Sequence, residues 1–152
     1  SVGVLVDGLL FGFIAFAGTM VLVGVLLRFS GGLTTSASAL VVFEQPLSSR
    51  LFVAATASVT ESTLFYGFAI EAVYGLGGGP WLAGAVAATG TLLSRSWRGT
   101  DLVLQWLPGA VVLAGVAVWS RTLLVVVPIY FVYNAVVLAS GDADDYAVRE
   151  DG

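Results

Sequence analysis

Five apolar runs, punctuated by Gly, Pro and Arg, limit what this chain can become: 4–27, 51–74, 80–94, 102–119 and 122–139. A helix satisfies its own backbone hydrogen bonds, and about 20 apolar residues in helical form cross the hydrocarbon of a bilayer. The runs therefore predict an all-α fold, an integral membrane helical bundle of about five transmembrane helices in one membrane domain over 1–152. The third run, 80–94, is short, since roughly 15 residues at 1.5 Å each reach only about 22 Å. It is expected to be tilted, half-buried, or extended by Arg95 to Trp97. The first run is too long for the apolar region of a signal peptide and follows no basic segment, so it reads as a retained helix.

Between the first two runs, Ser30-Gly31-Gly32 breaks the helix and Gln45-Pro46 ends the next segment, which leaves Thr34 to Phe43 as a candidate interfacial helix. Gly75 to Gly79 reads as a turn, with Pro80 opening the next helix. Gly8 and Gly12 form a Gly-x-x-x-Gly pair suited to close helix approach.

With 58% hydrophobic and only 11% charged residues, the chain does not have the composition of an ordinary soluble domain. The basic residues are Arg28, Arg50, Arg95, Arg98, Arg121 and Arg149, with no lysine, against ten acids. Excess acid without lysine suggests a salt-adapted, halophilic, archaeal-like proteome, and 140–152 reads as a solvated acidic tail. No basic stripe exists that would hold nucleic acid. Placing the N-terminus outside and the C-terminus in the cytoplasm collects every arginine except Arg121 on the inner side, as the positive-inside rule requires of a protein in the plasma membrane. Trp81, Trp97, Trp106 and Trp119 fall near run ends, as interfacial aromatics do.

The second run holds the chemistry. Thr56, Ser58, Thr60, Glu61, Ser62 and Thr63 crowd its middle. Hydroxyls can bond back to the carbonyl one turn earlier, but a carboxylate cannot, so Glu61 must face other helices. All six arginines lie near run ends or in the tail, so Glu61 is expected to be a structural acid held by tyrosine, asparagine or hydroxyl partners. Glu71 lies nearer the run's end, where reaching toward water explains it. In the last run Tyr130 and Asn134, four apart on a helix, share a face and can address one partner. The chain has no histidine and no cysteine, which removes imidazole bases, thiol nucleophiles and the commonest metal ligands. No metal or cofactor is expected.

The order of these motifs carries a resemblance. Glu61-Ser-Thr-Leu-Phe-Tyr66-Gly67-Phe68 resembles the Glu-Glu-x-x-Phe-Arg-Gly-Phe signature of the CPBP intramembrane protease family, which includes the CAAX prenyl proteases and bacteriocin-processing relatives. Leu107 to Thr122 is similar to that family's glycine-containing helix and short turn, and Pro128-Ile-Tyr130-Phe-Val-Tyr-Asn134 stands where the family has Pro-Ile-x-x-His-x-x-x-Asn or a close variant. The resemblance covers roughly Leu51 to Ala139 and implies a CPBP-like core whose first glutamate activates water. It also implies motif-equivalent positions at Glu61, Ser62, Tyr66, Thr91, Tyr130 and Asn134. There the family's second glutamate is Ser62, its arginine is Tyr66, one histidine is Gly90 or Thr91, and another is Tyr130.

Attack of water on an amide needs a base and donors aimed at the oxyanion, and losing one donor costs about 10²–10³ in rate. With the histidines and the arginine gone, the expectation is a pseudoenzyme with no catalytic residue. It would act as a binding or accessory subunit for a partner membrane protein, a lipid or an isoprenoid such as a carotenoid. The alternative is a hydrolase that uses the residual candidates Glu61 and Asn134, with Tyr66 and Tyr130 as donors. A small channel or carrier comes third, since Glu61 has no second mid-membrane acid for a relay.

Overall fold

The computed structural model describes residues 2–30, 33–35, 41–96, 100–140 and 146–148. Five helical rods follow in order. The first is α1 (Val2–Ser30). The second joins α2 (Leu47–Glu61), a π-helical segment (Ser62–Ala69) and α3 (Ile70–Gly75) end to end. Then come α4 (Pro80–Ser96), α5 (Thr100–Ser120) and α6 (Leu123–Ser140). Each expected run is thus helical, with ends shifted by a few residues.

The second rod shows why a π segment forms. Its buried residues are Ala54, Ser58, Ser62, Tyr66 and Ile70, a strict spacing of four. In an α-helix each step of four residues drifts by about 40°, so four steps would carry the stripe about 160° round the rod. The wider i→i+5 bonding of the π segment absorbs that drift and keeps the small hydroxyls, Tyr66 and Ile70 on one inward face.

Rods consecutive in the chain alternate in direction. Ser58 meets Asn134 and Glu61 meets Tyr130, so α2 and α6 are antiparallel. Against α1, a Cβ on Gly8 would touch Val125 and one on Gly12 would touch Ile129, while Phe16 packs edge-on to Tyr133 at 5.2 Å. The offset is constant, so α1 and α6 run parallel in register, and the glycine pair supplies the close approach its spacing suggested. Alanines fill the α4–α5 seam, where Ala83, Ala87, Ala110, Ala114 and Ala117 are all buried.

Two features depart from the sequence reading. The proposed interfacial helix at Thr34 to Phe43 is not a helix where it is described: Leu33–Thr35 is strand β1, and residues 41–45 form a turn and bend, with 36–40 outside the described residues. A parallel strand β2 (Tyr146–Val148) pairs with β1, Leu33 opposite Tyr146, so part of the acidic tail returns to the segment that follows α1. The rest of the tail and Trp97 and Arg98 lie outside the described residues. The turn after α3 is as expected, with Gly77 at φ +82° and Pro80 starting α4. One helical stretch, Leu5–Val25, is long and apolar enough to cross a membrane by length and composition; Trp106–Ser120 and Leu123–Ala139 are shorter apolar helices.

Candidate polar site

The short third run decides where the charges meet. At 1.5 Å per residue, the 17 residues of α4 extend about 25 Å from Pro80, so α4 stops level with the middle of the longer second rod. Arg95, in its last turn, therefore lies beside Glu61 rather than beyond the bundle. This corrects the expectation that no arginine reaches the depth of Glu61.

Arg95 Nη1 donates to Glu61 Oε2 at 2.7 Å, and its Nη2 donates to the Tyr130 hydroxyl at 2.5 Å. Tyr130 in turn donates to the same Glu61 Oε2. The three side chains close a ring that ties α2, α4 and α6 together. Trp106 of α5 lies under the guanidinium, with the Arg95 Cζ 3.9 Å from the ring centroid, and adds a fourth helix through a cation–π contact. Tyr130 is fully buried, Arg95 is 5% exposed, and the Glu61 side chain keeps 25% of its surface open. Trp106, expected as an interfacial aromatic, is instead a wall of this site.

The remaining motif positions surround the ring without joining it. Tyr66 is buried and its hydroxyl lies 2.9 Å from Thr91 Oγ1, which also donates to the Ala87 carbonyl. Thr91 thus serves Tyr66, and Arg95, one turn further along α4, takes the place beside Glu61. Asn134 does not reach Glu61: its Nδ2 donates to Ser58 Oγ at 2.9 Å, and the Ser58 hydroxyl donates to the Ala54 carbonyl. Tyr130 and Asn134 do face the same rod, as their spacing implied, but they engage different residues on it. Ser62 Oγ is buried and has no hydrogen-bond partner among the described residues, as is true of Arg95 Nε. Glu71 is exposed, in keeping with its place near the run's end, and pairs with Arg121 at 2.8 Å.

Chemically the ring is a closed circuit. One carboxylate oxygen accepts from a cation and a phenol, the phenol accepts from that cation, and the cation is stacked on an indole. Sequence reasoning missed Arg95 and Trp106. The available signal was the shortness of the 80–94 run, which brings a residue at its end inward. In comparisons with known proteins, no family model, curated protein or solved structure matches this chain.

Proposed function

We propose that this chain is a non-catalytic, five-span membrane protein with a CPBP-like core, and that it works as a binding or accessory subunit for a partner membrane protein, a lipid or an isoprenoid. The observation that carries this reading is the ring at Glu61: its Oε2 is held by both Arg95 and Tyr130, which makes the carboxylate a link between three helices. Hydrolysis also needs donors aimed at the developing oxyanion, and here the Arg95 guanidinium and the Tyr130 hydroxyl are turned onto Glu61 and each other instead. Asn134, the other residual candidate, donates to Ser58 and does not reach Glu61.

The membrane setting rests on the outer surface. Phe52 and Phe68 of the second rod, Trp81 of α4 and Leu124 of α6 project outward, together with most large side chains of α1. An aqueous protein rarely exposes so continuous an apolar surface. The alternating rods and the parallel α1–α6 pair suit an odd number of spans, with the N-terminus outside and the end of α6 in the cytoplasm.

The test is to incubate the purified protein with peptides and prenyl-peptides and to examine what copurifies from its native membrane. The reading expects no cleavage and a stoichiometric lipid, isoprenoid or protein companion. A second reading, hydrolysis by Glu61 and Asn134, is favoured only by the quarter of the Glu61 side chain that remains exposed. Cleavage by the unmodified protein that vanishes in a Glu61→Gln protein still folded by circular dichroism would establish it instead.

A further inference from the structure

Away from the polar ring, α4 and α5 part at the end where α4 begins. The groove between them has a volume of about 580 Å³ and is open along one side. Its floor is made of small residues, Gly84, Ala85, Ala88 and Gly115 among them, and Trp81 and Trp119 stand at its mouth. Trp81 is 91% exposed, and a Cβ built on Gly115 would meet nothing within 4 Å.

The dimensions select the occupant. From Trp81 to Ala88 along α4, and from Trp119 back to Val111 along α5, the groove runs only about 10–12 Å. That is less than half of a hydrocarbon core about 30 Å thick, so the groove lies within one leaflet. A transmembrane helix is about 10–12 Å across and continues through both leaflets, which this groove does not accommodate. A lipid chain is narrow, ends near the bilayer midplane and leaves its headgroup at the level where tryptophans settle.

We propose that the α4–α5 groove holds one hydrocarbon chain of a bilayer lipid, taken from the leaflet at the Arg121 end, with Trp81 and Trp119 flanking its headgroup. This rests on the non-catalytic binding reading above and names the class of ligand. The chain enters sideways from the bilayer. Contact with close-packed alanine and glycine surface holds it, and no charged side chain is required in the groove.

The test uses the full chain in phosphatidylglycerol vesicles containing a trace of phosphatidylglycerol with a photoactivatable diazirine midway along one acyl chain. After irradiation, labelled peptides are mapped. The proposal expects labelling concentrated on 84–88 and 111–115, and a loss of at least fivefold there in Gly115→Leu, a substitution whose Cβ meets open space. Ala85→Phe, which plugs the opposite wall, should act likewise, and Gly18→Leu on α1 should not. Labelling spread evenly over the outer surface, or unchanged in both plugged variants, would overturn the proposal. So would a plug that leaves labelling intact but removes a bound membrane protein or a second copy of this chain. Peptide cleavage would defeat the non-catalytic reading without altering the labelling pattern, so the two failures are distinguishable.

Discussion

Arg95 and Glu61 stand 34 positions apart in the chain, yet their side chains meet at 2.7 Å inside the bundle. The pair joins α4 to the second rod, and Tyr130 adds α6 to the same carboxylate oxygen. Because Arg95 is nearly buried, each partner depends on the other: removing one half of a buried pair strands the remaining charge, at about 3–5 kcal/mol in deeply buried cases. Glu61 keeps some solvent, so the loss here should be smaller, about 2–4 kcal/mol.

Tyr130→Phe removes one hydroxyl that both donates to Glu61 and accepts from Arg95, and leaves the ring's packing in place. Bonds to charged groups are worth about 1.5–3 kcal/mol, so the variant should unfold measurably earlier in detergent. Circular dichroism melts at matched detergent and salt would show it. Asn134→Leu, by contrast, should leave the Arg95–Glu61 pair untouched, because Asn134 bonds Ser58 instead.

Helix α1 should detach selectively when its glycines are filled. A Cβ at Gly12 would lie 2.1 Å from Ile129 Cδ1, and Ile129 is fully buried with little room to turn, whereas Gly18 meets nothing within 4 Å. Gly12→Val should cost about 1–3 kcal/mol by overpacking, and Gly18→Ala should cost nothing. Protease sensitivity of α1 and thermal melts would separate the two.

Arg121 occupies the left-handed region at φ 51°, as the residue that closes α5, with its N–H bonded to the Ala117 carbonyl at 2.9 Å. A non-glycine residue there bears a backbone cost of roughly 1–2 kcal/mol. Its exposed pair with Glu71 returns less than about 1 kcal/mol, and stacking on Tyr74 returns a comparable amount. Arg121→Gly should therefore be close to neutral, while Arg121→Val should lose the contacts and worsen the strain. Melting temperatures of the two variants check this ordering.

How much was legible in the sequence depends on the range of each signal. The five helices are local, fixed by apolar runs and by Gly and Pro at their ends, and the Gly8 and Gly12 contacts follow from spacing. The convergence of Thr91, Tyr130 and Asn134 on the second rod also had a local trace, since each is a polar group in an apolar run. Arg95 was not legible as a partner, because its depth depends on how far α4 slides against a longer neighbour, and that is set by contacts with distant residues. The π segment left a trace that only its outcome explains: small or buried residues at 54, 58, 62, 66 and 70 hold a period no straight α-helix can keep on one face. The β1–β2 pairing joins three-residue stretches from opposite parts of the chain, too short for alternation to register.

The most direct test of Glu61 as a structural member of the ring is a double-mutant cycle of thermal or denaturant stability in detergent, built from Glu61→Gln, Arg95→Met and the two together. Glu61→Gln leaves a buried guanidinium without its counter-charge, and Arg95→Met leaves a carboxylate without its cation. Each single variant should lose about 2–4 kcal/mol. The double variant should lose clearly less than the sum, with a coupling energy of about 1–3 kcal/mol that persists at high salt. Additive losses, or a fully stable Glu61→Gln protein, would contradict the account and return Glu61 to the role of an unpaired acid available for chemistry.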